Sequence, residues 1–586
     1  MFGKILSIND IDVIIENTSK KIESSLLGVH IIFDSGIEKI VGQINDMTLE
    51  NIHVVLVGEI FNDHFEPGIV KKPNLNSTIR IIYKNEVPLL LGSQVKDEKN
   101  NLYIGSSLVY KDYIVSSKLN DFFSNHFAII GNSGSGKSCG FARLMQNLFY
   151  RNINKPELSN IVIFDVYGEY NSSFQKINDI PGLKTKALTT RTRFSEGEVI
   201  NIPPYLLRSD DLAILLGAEE SNQIPIIEKA LDLVYLFSEE ENLVKDYKSQ
   251  ILAKALLDIV ASGKQPVQIR DQIIAVLTKF NTADLNLESS IAQPGYVRTL
   301  KQCLNVDSTG KINAMQLVVE FLEPIANKQM EAFVLKKPVA YTLTDLYDAF
   351  EFALISEGIL KSDKVFDKAN ILKIRLESII NSEYAKYFEV SDYIDEISFI
   401  KKLFTTPTGE KAQILNINLN YIDERFTKII TKLYSRIFFD FATRVENRAA
   451  FPIHIILEEA HRYVQNDNDI NIIGYNIFDR ITKEGRKYGV LLGLITQRPS
   501  ELSHTSLSQC SNFLVFRMFH PDDIKIVSGI SSNITDDTVK KLKSLRPGVA
   551  LTFGTAFHLP SLVKFEMPDP APQSTSANLE ITWYRK

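Results

Sequence analysis

Apolar residues in positions 1–95 recur in short β-branched runs at 12–15, 30–33, 40–44, 53–58 and 78–83, with Gly, Asn, Asp and Pro between them. No helical period runs through these segments. They predict about five or six short strands and a small β-barrel. Pro88 and the polar run 96–101 mark a linker to the next unit. The pattern then changes: 127–130 and 160–165 are near-continuous apolar runs, as in strands buried in a parallel sheet, and 141–150 has helical spacing. Between about 205 and 405 the strand pattern stops, and 226–237, 243–261, 269–280, 343–355 and 370–380 carry apolar residues at helical spacing. Strands resume at 413–419, 453–457, 490–497 and 513–517, with a helix over 424–444, and a strand at 548–553 closes the sheet. The fold class is therefore α/β: a barrel over 1–95, a core in two parts over 96–204 and 406–567, and a helical insertion over 205–405. Pro568, Pro570 and Pro572 open a tail, 568–586, whose apolar end predicts packing on a neighbouring subunit.

The chemistry concentrates where the first buried strand meets its helix. Gly131, Asn132, Ser133, Gly134, Ser135, Gly136, Lys137 and Ser138 form a G-x-x-x-x-G-K-S string in strand–loop–helix context, with Cys139 next in line. That context makes it a phosphate-binding loop. Its backbone N–H groups and the helix N-terminus favour phosphate. Lys137 reaches the β- and γ-phosphates of ATP, and Ser138 ligates Mg²⁺. The strand 453–457 ends in Glu458 and Glu459, the second half of a P-loop ATPase site. Glu458 serves the Mg²⁺ shell, and Glu459 is the general base for the attacking water. Thr496 and Gln497 end another buried strand and are placed to sense the γ-phosphate. Asp165 and Glu169 follow the strand 160–165 and are candidates to bind metal or activate water, an ordinary acidic turn being the alternative. Arg486 closes a helix, where a cation is favourable in any case. It and Arg517 are the cations available to act across a subunit boundary.

Bulk properties narrow the partners. The net charge of −6 excludes a surface coated in basic residues, so nucleic-acid binding needs a localised stripe. Arg191 and Arg193 are its candidates. The 3 cysteines, widely spaced, fit a reducing cytoplasm and speak against a disulfide or zinc framework. No run approaches the ~18 apolar residues of a membrane span. A cytoplasmic protein with no membrane partner is expected.

Together these pieces resemble the HerA family of hexameric DNA translocases, within the HerA/FtsK group of RecA-like motors. The resemblance rests on the barrel, His126 running into the phosphate loop, Asp165 with Gly168-Glu169-Tyr170, Glu459-Ala460-His461, Glu484-Gly485-Arg486-Lys487-Tyr488-Gly489-Val490 and Thr496-Gln497-Arg498-Pro499-Ser500. Leu507-Ser508-Gln509-Cys510 and Pro547-Gly548 belong to it too. It implies a RecA-like P-loop ATPase core, a homo-hexameric ring around double-stranded DNA, and Arg486 as an arginine finger acting in trans. It also supports Glu459 as base. It further implies a partner nuclease or sirtuin-like NADase, with antiphage defence as the setting. Two departures stand out: Asn125 replaces a frequent arginine, and Val166-Tyr167 replaces Pro-His. A ring that only scaffolds and regulates its partner is the alternative function. A DNA pump of conjugation or packaging is disfavoured for want of a membrane segment.

Overall fold

The computed structural model describes residues 2–573 except 37, 93–100, 112, 153, 194–196, 329–338, 362 and 531–535, together with Leu579 and Trp583. The N-terminal unit is an antiparallel sheet of β1 (Phe2–Asn9), β2 (Asp12–Asn17), β3 (His30–Asp34), β4 (Lys39–Met47), β5 (Asn51–Phe61), β6 (His64–Pro67) and β7 (Thr78–Ile81). Its order is β1-β2-β5-β4-β3-β7, with β6 on β5. Alternation along β5 buries Ile52, Val54 and Leu56 on one face, which is how a period of two selects a concave core. The sheet curls until β1 and β7 touch, without a ladder between them among the described residues. The expected barrel is thus a curled sheet. Pro88 corrects an expectation: it lies in the first turn of the helix Val87–Leu91, whose Val87 and Leu89 to Leu91 are buried. Proline fits there because its missing N–H has no helical partner anyway. Apart from Asn101, the linker run 96–101 lies outside the described residues.

Among the described residues the central sheet has 12 strands. They are β8 (Asn101–Ser107), β9 (Ile114–Lys118), β10 (Phe127–Ile130), β11 (Ile161–Asp165), β12 (Thr185–Thr189), β13 (Glu198–Val199), β16 (Ile414–Asn418), β17 (Ile453–Leu457), β18 (Val490–Thr496), β19 (Asn512–Val515), β20 (Val549–Gly554) and β21 (Ser561–Lys564). The order is β13-β12-β16-β11-β17-β18-β10-β19-β20-β21-β8-β9. Strands from β13 to β19 run parallel, and the remainder are antiparallel. Every residue of β10, β11 and β18 is buried, because helices and the N-terminal unit cover the sheet's faces. β20 does not close the sheet. Beyond it lie β21, β8 and β9, and the last two come from the segment before the phosphate loop, a pairing no local pattern announces.

Residues 205–405 are mainly helical, including Ile224–Leu233, Glu241–Ala261, Pro266–Lys279, Met315–Ala326, Leu343–Lys361 and Asp363–Ile380. Strands do not stop altogether. β14 (Ser290–Gln293) and β15 (Tyr296–Thr299) form a hairpin across Pro294-Gly295, where Gly295 takes φ +89°. Its residues are too few for the alternation to register. Beneath the insertion, Arg436 is bonded to Asp211 and Asp440. The first residues of the C-terminal segment pack on the chain's own phosphate-loop helix, Lys137–Tyr150: Asp569 N donates to Gln146 Oε1 at 2.9 Å and Gln146 Nε2 to the Pro570 carbonyl at 2.9 Å. Gln573 N reaches the Glu169 carbonyl at 3.0 Å. Apart from Leu579 and Trp583, residues 574–586 lie outside the described residues.

Candidate active site

The loop between β10 and the helix Lys137–Tyr150 is clamped by three neighbours. Gly131 N donates to the Thr496 carbonyl at 3.2 Å, Asn132 N to the Arg517 carbonyl at 2.9 Å, and Gly548 N to the Ser135 carbonyl at 2.9 Å. Gly136 takes φ +101°, and a Cβ there would stand 2.7 Å from Gly548 N, so only glycine lets the loop pass. Lys137 is buried and its Nζ donates to the Asn132 carbonyl at 3.2 Å. Burial pulls its pKa down, opposed by Glu459, Glu458 and Glu169. Ser135 Oγ is fully buried with no hydrogen-bond partner. A buried cation and an orphaned hydroxyl inside a tight glycine loop fit a triphosphate, whose oxygens would satisfy both. Ser133 and Gly134 are exposed at the tip, while Ser138 and Cys139 are half-buried at the helix start. Burial, then Glu169, raises the Cys139 pKa and keeps it a thiol.

The acids stand at the carboxyl edge of the adjacent strands, where ligands of open α/β sheets bind. Glu458 is buried, and its Oε2 accepts from Val166 N at 2.9 Å. Burial raises its pKa well above the carboxylate range, with Asp165, Glu169 and Glu459 adding to the rise. Asp165 accepts from Glu169 N (3.0 Å), Tyr170 N (2.9 Å) and Asn416 Nδ2 (3.2 Å). Both its oxygens are thereby engaged, and it latches the turn after β11. Glu459 adopts φ +48°, a left-handed conformation costly for a residue with a side chain. Gln497 Nε2 donates to its Oε1 at 3.1 Å, and His461 Nδ1 lies 3.3 Å from its Oε2. His461 Nδ1 also lies 3.1 Å from Thr496 Oγ1.

Lys137, Glu458, Glu459 and Gln497 are thus brought together beside the loop that carries Ser138. Arg486 is not. It lies in the last turn of the helix Ile477–Tyr488, just before β18 begins, whereas Gln497 follows the end of β18. The 7 residues of β18 set the two ends of that strand apart, about 20 Å at ~3.3 Å per residue. Arg486 is exposed and makes no hydrogen bond or ion pair among the described residues. Arg517 touches the loop through its backbone, and its guanidinium covers the Phe519 ring at 5.1 Å. Sequence reasoning gave no role to His461, or to Arg462, whose guanidinium donates to the Tyr167 hydroxyl at 2.9 Å near Glu459. His461 could have been found from its place two residues beyond Glu459.

A parallel sheet with a phosphate loop after one strand, a glutamine after its neighbour and paired acids after the strand beyond defines a RecA-like P-loop ATPase. Residues 102–334 match the family described as "Helicase HerA, central domain", and over that stretch the chain is similar to it. Among curated relatives, it is 24% identical over 524 residues to the "Probable DNA double-strand break repair helicase HerA" of Methanocaldococcus jannaschii, covering 86% of each chain. It is 30% identical over 204 residues to the "DNA double-strand break repair helicase HerA" of Sulfurisphaera tokodaii, covering 33% of this chain and 40% of that one. Among solved structures it is similar to VirB4 of Thermoanaerobacter pseudethanolicus, at 12% identity and TM-score 0.46, over 82% of this chain and 97% of that chain. Among the described residues no helix is long and apolar enough to cross a membrane.

Proposed function

We propose that this chain is an ATP-driven motor that moves on double-stranded DNA as a homo-hexameric ring, with each ATP site completed by a neighbour. Lys137 and the loop from Gly131 to Cys139 hold the triphosphate. Ser138 and Glu458 would hold Mg²⁺, which would supply positive charge to offset that of the triphosphate. Glu459 takes the proton of the attacking water, and Gln497 orients that carboxylate and senses the γ-phosphate. The names of the HerA relatives support DNA as the track. The resemblance extends the reading to a nuclease or sirtuin-like NADase partner and to antiphage defence.

The observation that carries the ring is the place of Arg486. It is an exposed arginine, without a hydrogen bond or ion pair among the described residues, at the amino edge of the sheet, while its own phosphate loop lies at the carboxyl edge. It cannot serve its own site, but it can serve a neighbour's. The test is ATP hydrolysis with and without duplex DNA for wild type, Arg486→Ala, and mixtures of the two. Duplex DNA should stimulate the wild type. Arg486→Ala should keep ATP binding, lose about 10³–10⁵ in rate, and in mixtures silence the wild-type sites that it borders. Normal hydrolysis by Arg486→Ala overturns the trans assignment; indifference to DNA overturns the motor.

A further inference from the structure

The helix Ile477–Tyr488 connects the two edges of the sheet, and both its ends are bolted down. At its start, the Asn476 side chain accepts from Phe478 N and Asp479 N. Asp479 is buried, and its Oδ1 receives the hydroxyls of Ser503 and Ser506, each at 2.7 Å. Both serines lie in the segment that leaves Gln497 and are themselves buried. Ser503 N in turn donates to the Val464 carbonyl at 2.8 Å, beyond Glu459. A buried carboxylate is tolerated only with such donors, so this joint is specific and costly to break.

At its end, the helix lies so close to the strand it feeds that a Cβ on Gly485 would stand 2.3 Å from the Val490 carbonyl. His126, buried just ahead of β10, accepts from Leu492 N through Nδ1 at 2.9 Å. Its Nε2 is buried without a full hydrogen bond, and the ring faces the Thr482 carbonyl of the helix. Burial, with the nearby His454 and Arg486, lowers its pKa to about 4, so the ring is a fixed neutral wedge at neutral pH. One histidine therefore packs the root of the phosphate-loop strand against the root of β18 and the turn before Arg486.

We propose that this helix is a strut tying Arg486 to the chain's own Gln497 segment, with Asp479 and His126 as its positioning residues. The inference rests on the reading of Arg486 as a trans cation. It adds that the cation's aim is set by the site of the subunit that donates it. A shift of the serine segment moves Asp479, and the helix, with no slack at Gly485 or His126, carries the shift to Arg486.

Mixed rings test this directly. Lys137→Ala subunits have a dead site but an intact strut and Arg486. Asp479→Ala subunits have an intact site but a loosened strut. Each variant alone should lose hydrolysis, the second by about 10²-fold, the scale expected when a catalytic group is misplaced by about 1 Å. Mixed, they should recover activity, because Asp479→Ala sites then receive Arg486 from Lys137→Ala neighbours. His126→Ala, at the other end of the helix, should behave identically, and Ser506→Ala serves where Asp479→Ala fails to fold. Arg486→Ala mixed with Lys137→Ala is the reference. Recovery in the reference but not with the strut variants overturns the strut and leaves the trans reading standing. No recovery in the reference overturns the trans reading, and the strut with it.

Discussion

Gln497 Nε2 donates to Glu459 Oε1 at 3.1 Å, so the residue that follows β18 holds a carboxylate just beyond β17. Glu459 also sits at φ +48°, a strained position kept only where the surroundings demand it. If this carboxylate takes the proton of water, Glu459→Gln should slow hydrolysis by about 10²–10⁴-fold while a non-hydrolysable ATP analogue still binds. Gln497→Ala should slow it less, since the carboxylate remains and only its aim is lost. Single-turnover hydrolysis beside equilibrium analogue binding separates the two effects. Equal loss of binding and rate in Glu459→Gln would show that the residue binds and does not catalyse.

Gly136→Ala should abolish nucleotide binding. The added methyl meets Gly548 N at 2.7 Å and the residue must hold φ +101°, so the loop has to open to accept it. The damage is local, because the N-terminal sheet has its own core. Isothermal titration with the ATP analogue should show no binding, while the far-ultraviolet circular dichroism stays that of wild type.

Much of this site was legible because its signals are local. A phosphate loop must follow a buried strand and open a helix, and 127–150 carries that pattern; paired acids directly after a buried strand are a second local signal, and Glu458 and Glu459 follow β17 in that way. The helix Glu424–Arg444 was legible too, since a stripe of apolar residues follows the Asp423 cap. What escaped depends on residues far apart in the chain. β8 pairs with β21 across more than four hundred residues, and nothing in 101–107 names its partner. Asp165 looked like a candidate metal ligand, yet its neighbours consume both its oxygens. The site of Arg486, on the edge away from its own phosphate loop, follows from sheet order and not from any motif.

Arg436 should matter to stability more than to turnover. Its guanidinium is buried between Asp211 and Asp440, with a further bond to the Leu206 carbonyl at 3.0 Å. Arg436→Ala leaves buried Asp211 without its counter-ion and Asp440 with only the more exposed Arg208, 2.8 Å away, a change that costs about 3–5 kcal/mol. Urea unfolding should place the midpoint of the core well below that of wild type. A change under about 1 kcal/mol would mean the carboxylates find water or another cation.

Acid should loosen the joint between the N-terminal sheet and the core. His30 on β3 is buried, its Nδ1 lies 2.7 Å from the Tyr110 hydroxyl, and its own N–H donates to that oxygen at 2.9 Å. Tyr110 stands between β8 and β9, so this pair links the two units. Burial lowers the His30 pKa from 6.5 to about 4. The folded chain thus keeps the ring neutral while the unfolded chain protonates below pH 6.5. Its stability is fully present above that pH and is lost as pH falls toward 4, by about 2 kcal/mol at pH 5. His126, also lowered to about 4, acts in the same direction. Glu458, raised by burial, acts in the opposite one. The wild-type curve therefore sums several groups, and His30→Asn isolates one of them. Melting temperatures at pH 7.5, 6 and 5 should fall less steeply in His30→Asn than in wild type. Parallel curves would assign the acid sensitivity to the other buried groups.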